Sequence, residues 1–114
     1  MKYGFEGIGC WSATFACGSG AAEGRMVKIS GNGQVSACAD GDSFAGMADA
    51  VSRDGLACSV TLGGMVTAPY TGAAPALGWT ALAADGAGGV KAAAGRSCLV
   101  VSVDQAAKQV TFVL

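Results

Sequence analysis

Apolar and polar positions along this chain alternate over short runs, and Gly, Asn and Asp punctuate them. No stretch carries a sustained apolar stripe at helical spacing bounded by caps. "RMVKIS" (25–30) and "QVSACA" (34–39) flank "GNG", an Asn-Gly hairpin signal. "DGD" (40–42) makes the next turn, before "SFAGMADAV" (43–51). "RDG" (53–55) then turns the chain into "LACSVTL" (56–62). Gly63 and Gly64 break the chain before "MVTAPY" (65–70), and "APYTGAAPALG" reads as a loop. "WTALAA" (79–84) and "VKAAA" (90–94) flank "DGAGG" (85–89), and "SCLVVSV" (97–103) and "QVTFVL" (109–114) flank "DQAAK". Strand-like runs at this spacing predict an all-β fold, a small antiparallel barrel or sandwich. Hairpins are expected at Gly31–Gly33, Arg53–Gly55 and Asp85–Gly89.

The first 23 residues differ from the rest. They are rich in Gly and Ala, yet hold Tyr3, Phe5, Trp11 and Phe15, half of the eight aromatics (two Trp, two Tyr, four Phe). Residues 1–23 are read as an N-terminal arm or first strand, and 24–114 as the barrel domain. Aromatics are favoured at interface cores, so these four are the candidate interface residues, expected to dock on a neighbouring chain. The alternative is that they complete the core.

A chain of 114 residues suits one domain with a core of its own. Charged residues are 13% of the chain, about half the usual ~25%. Apolar residues are 52%. Either excess apolar surface is covered by a partner, or Ala and Gly inflate the count. The net charge of −1 comes with no run of like charge, which argues against a nucleic-acid or anionic-lipid partner. No apolar run approaches the ~20 residues of a membrane span.

Histidine is absent, which removes the usual general base near neutral pH. Five cysteines, at 10, 17, 38, 58 and 98, form no CxxC pair. Neither a zinc site nor a disulfide framework is expected. Cys38, Cys58 and Cys98 lie in apolar runs and are expected buried and reduced. "GAGGVKAAAG" lacks the Lys-Ser/Thr end of a phosphate loop, and Lys91 stands where a dinucleotide fingerprint needs its third glycine. A hairpin loop is the better reading. "DGDSFAGMAD" has Phe44 and Val51 where a calcium loop needs ligands, so it reads as a solvated acidic turn. No catalytic, cofactor-binding or metal-binding residue is assigned, and an enzyme is not expected.

From Gly24 to Leu114 the layout "GRMVKISGNGQVSACADGDSFAGMADAVSRDGLACSVTLGGMVTAPYTG", "LGWTALAADGAGGVK" and "LVVSVDQAAKQVTFVL" resembles small β-barrel capsid decoration proteins of tailed phages, the lambda-type head decoration family. The resemblance implies a phage- or prophage-encoded structural protein without catalytic residues. Such a protein is made in the bacterial cytoplasm and binds the exterior of the virion's assembled capsid. Its implied partners are the major capsid protein and itself, often as a homotrimer. Residues 1–23 lie outside the matched layout. An alternative function is a small-molecule- or receptor-binding barrel module of a tail or adhesin, presenting a loop such as "TAPYTGAAPALGW".

Overall fold

Period-two alternation and Gly-centred turns carry directly into the architecture. A computed structural model of the chain describes residues 11–114. The fold is all-β, with ten strands and no helix among the described residues. In chain order they are β1 (Trp11–Cys17), β2 (Met26–Gly31), β3 (Gln34–Ala37), β4 (Gly46–Val51) and β5 (Ala57–Gly63). Then follow β6 (Met65–Pro69), β7 (Gly78–Ala84), β8 (Val90–Ala92), β9 (Arg96–Asp104) and β10 (Gln109–Val113). The first five close into a barrel in the order β1-β3-β2-β4-β5. The last five form a second sheet, β6-β10-β9-β7-β8.

All three expected hairpins are present. Gly33 takes a left-handed φ of 66° between β2 and β3, a conformation that Cβ-bearing residues rarely adopt. Asp54 organises the turn between β4 and β5, accepting from the Ser52 hydroxyl at 2.5 Å and the Leu56 amide at 3.0 Å. Pairing is antiparallel except between β1 and β3, which run parallel at Ala16 and Cys17. Tyr70, just past β6, makes a parallel bridge to Val90 of β8, which curls the second sheet toward closure.

The two sheets share a core. Phe112, Val110, Val100, Cys98, Leu82 and Val90 point inward from the second sheet and meet Met26, Phe44 and Met47 on the barrel side. Phe44 and Phe112 pack as tilted rings with centroids 6.1 Å apart. Arg96 at the start of β9 ties the sheets together: Nη1 donates to the Ala45 carbonyl at 2.5 Å and Nη2 to the Leu62 carbonyl at 3.4 Å. The barrel interior is a smaller cluster of Val27, Val35, Ala48, Cys58 and Val60.

Two expectations need correcting. Residues 11–17 do not reach beyond the barrel; they are the strand that closes it. Phe15, expected on a docking surface, packs on the barrel's own interior cluster, because β1 pairs with β5 through Phe15↔Cys58 and that face points inward. Cys58 is not a free thiol, since it is disulfide-bonded to Cys17. The register of β1 on β5 puts their Cα atoms 5.5 Å apart, a normal separation for a disulfide, although 41 residues separate them in sequence. Cys38 and Cys98 are free and buried, as expected.

Candidate docking surface

Inward and outward positions alternate along each strand of the second sheet, and β-pairing lines the outward ones up. On β9, Cys98 and Val100 are buried while Leu99 faces out. Leu99 lies opposite Trp79 of β7 and opposite Val113 of β10. Val113 in turn lies opposite Met65 of β6. Met65, Val113, Leu99 and Trp79 therefore form one apolar row across four adjacent strands. At the usual strand spacing the row is about 14 Å long. Three of its members are half-buried by their neighbours. Trp79 is 74% exposed, and Leu77 just before β7 is 68% exposed.

A polar row runs beside it. Thr67 lies opposite Thr111, and Thr111 opposite Ser102, past a bulge between Thr111 and Phe112. The Thr67 and Thr111 hydroxyls share a hydrogen bond of 2.9 Å. On the other side, Ala81 pairs with Ser97. None of these nine outward residues is charged. These rows are thus neutral, with apolar side chains flanked by the bonded Thr67 and Thr111 hydroxyls, and a charge enters the face at Asp104, opposite Gln109 in the next row. At one end, a cleft of about 480 Å³ opens between the loop after β6 and β9. Ala74, Pro75, Leu77, Val101 and Gln105 help line it.

Charged groups are engaged elsewhere. Lys28 Nζ donates to Asp42 Oδ2 at 2.6 Å, and Lys91 pairs with Asp40 at 2.7 Å. The Lys28 hydrogen bond, helped by the Ala39 amide, holds the Asp42 carboxyl below its ordinary range, and Asp42 pushes Lys28 up. "DGDSFAGMAD" is therefore a turn braced by an internal ion pair. The glycine-rich loop Asp85–Gly89 joins β7 to β8. Asp85 Oδ1 accepts from the Ala87 amide at 2.8 Å and the Gly89 amide at 3.0 Å, and Oδ2 accepts from Thr71 at 2.7 Å. These amides, the ones a phosphate would need, are already bonded to the loop's own carboxylate.

Of the four sequence-predicted interface residues, Tyr3 and Phe5 lie outside the described residues. Trp11 is 59% exposed, on the edge of the barrel over Gly63. A Cβ at Gly63 would run into the Trp11 indole, so glycine there leaves the ring its seat. Phe15 is in the barrel interior. Of the two described residues, Trp11 faces solvent and Phe15 faces the interior cluster, so they do not share one surface. The residues that do share a face are Met65, Leu99, Val113, Trp79 and Leu77. Only the exposed aromatic in the alternating "GWTALAA" signals them in the sequence.

No group of three or more Cys, Asp or Glu side chains among the described residues is placed to hold a metal ion. No charged or polar residue among them is buried. Among the described residues no helix is long and apolar enough to cross a membrane. Compared with known proteins, the chain matches no family model, and no curated protein is similar enough to count as a relative.

Proposed function

We propose that this chain is a non-enzymatic structural protein, phage- or prophage-encoded, that decorates and stabilises the exterior of an assembled phage capsid. The observation that carries the reading is the neutral apolar row Met65, Val113, Leu99 and Trp79, with Leu77 beside it. Uncharged rows that end in an exposed Trp suit protein–protein contact, where aromatics anchor and charges are depleted. Many copies on a symmetric shell add modest contacts into a firm hold, without chemistry. The layout of residues 24–114, which resembles head decoration proteins, supports the same reading. A homo-oligomer, a trimer by that resemblance, would repeat the face with the symmetry of the shell.

The test is co-sedimentation with empty capsids assembled from a tailed-phage major capsid protein. The wild type is expected to pellet with capsids at saturable stoichiometry. Trp79→Ala and Leu99→Ser are expected to weaken binding at least about tenfold with the fold intact by circular dichroism. Absence of binding, or binding indifferent to both substitutions, overturns the proposal. The cleft beside Leu77 favours a second reading, a small-ligand or receptor module, because its size falls in the range of ligand sites. In that case a soluble ligand would protect Leu77 and Val101, and capsids would not bind.

A further inference from the structure

We propose that the Cys17–Cys58 disulfide is a redox latch on β1: oxidised, it holds the barrel closed, and reduction by a dithiol releases β1 alone. The latch is independent of the docking reading.

The topology lets β1 leave the barrel without breaking the pairing of its other four strands. β3, β2, β4 and β5 follow one another as antiparallel neighbours, and their pairing needs no residue of β1. β1 sits at the seam between β3 and β5. β3 holds it only at Ala16 and Cys17, so β5 is its main partner. Its apolar contribution is small. Phe15 and Cys17 are only partly buried against the interior cluster, and Trp11 is 59% exposed. The larger core between the sheets contains no residue of β1. β1 is held along its length by backbone pairing to β5, from Trp11↔Gly63 to Ala16↔Ala57, while little apolar side-chain surface backs that pairing; the cross-link at its end then adds to the ladder in holding the strand.

Access is graded in the same sense. Cys17 ends its strand and is half-buried, whereas Cys58 is 1% exposed. A thiolate of the dithiol attacks Cys17 Sγ, the S–S bond breaks, and Cys58 Sγ leaves as a thiolate and takes up a proton. The second thiol of the reductant then attacks the mixed disulfide and frees the Cys17 thiol. Two electrons and two protons pass from the dithiol, which becomes a cyclic disulfide. Cys38 and Cys98 are sealed in the larger core, and burial pushes both thiols up, which keeps them out of exchange.

The experiment uses the full chain carrying Cys10→Ser, so that only the four cysteines placed here remain. Amide exchange by mass spectrometry is compared in oxidised glutathione and after complete reduction by dithiothreitol. Reduction is expected to speed exchange in residues 12–17 at least on the order of a hundredfold. Residues 96–104 and 109–113 should be unchanged, and native alkylation should add two groups where the oxidised form takes none. The double variant Cys17→Ala/Cys58→Ala should exchange like the reduced form. Unchanged protection of β1 after reduction overturns the latch. So does loss of protection in both sheets together, because the bond would then be a staple of the whole fold. Failure of glutathione to oxidise the pair also overturns it.

Discussion

Arg96→Met tests how the two sheets are joined. Arg96 projects from β9 and bonds two backbone carbonyls of the barrel chain, Ala45 at 2.5 Å and Leu62 at 3.4 Å. Methionine keeps a long apolar stem and removes the donors. A hydrogen bond from a charged donor contributes about 1.5–3 kcal/mol. The Leu62 bond is near the limit of hydrogen-bond length and adds little. The expected loss is therefore about 2 kcal/mol, carried mostly by the Ala45 carbonyl. Lysine at the same position keeps a charge but reaches only one acceptor, so Arg96→Lys should recover about half. The assay is urea unfolding followed by circular dichroism, with the disulfide kept oxidised. With a slope of about 1–1.5 kcal/mol/M, Arg96→Met should lower the midpoint by roughly 1.3–2 M. A shift worth less than about 0.5 kcal/mol at unchanged slope would refute the idea that this side chain bolts the sheets together.

Three further outcomes follow from named contacts. Phe112 is fully buried against Phe44, so Phe112→Ala should cost about 3–5 kcal/mol in the same urea assay. Asp42 is depressed by the Lys28 hydrogen bond, so its contribution is present above the ordinary carboxyl range and is lost as pH falls through its folded value. Lys28 is raised by the same bond, so its share is lost only as pH rises through the alkaline range. Stability from this pair should be flat between about pH 4 and pH 10, and Asp42→Asn should flatten part of the acid limb in a pH series of melting curves. Burial raises the Cys38 and Cys98 thiols, so native protein carrying Cys10→Ser should resist a thiol reagent at pH 8, and both should react at once in denaturant.

Much of the fold was legible because its signals are local. Asn32-Gly33, Asp54-Gly55 and the Asp85–Gly89 loop announce hairpins, and the flanking alternation marks the strands that they join. β1 was harder to place. "WSATFAC" alternates like a strand, but its partners lie far along the chain, on β5 and in parallel on β3. Hairpin logic does not reach such contacts. The Cys17–Cys58 bond was hidden for the same reason, since cysteine pairing follows from register and not from spacing. The apolar row was least visible of all. Met65, Leu99, Val113 and Trp79 meet only because three strand pairings are in register, and a slip of one residue would turn each to the other face. The bulge at Thr111 and Phe112 adds a shift that no local pattern carries. Phe15 shows the converse. An aromatic in a Gly- and Ala-rich stretch suggested a docking device, and its register with Cys58 puts it inside.

Hydroxyl-radical footprinting of the protein, free and bound to capsids, tests the central claim most directly. Indole and thioether groups are the side chains such radicals mark most readily. On binding, Trp79, Met65 and Leu99 are expected to lose oxidation together, while Trp11, exposed on the barrel, stays as reactive as before. Protection of Trp11 with Trp79 still open, or no protection anywhere along the row, would contradict the account.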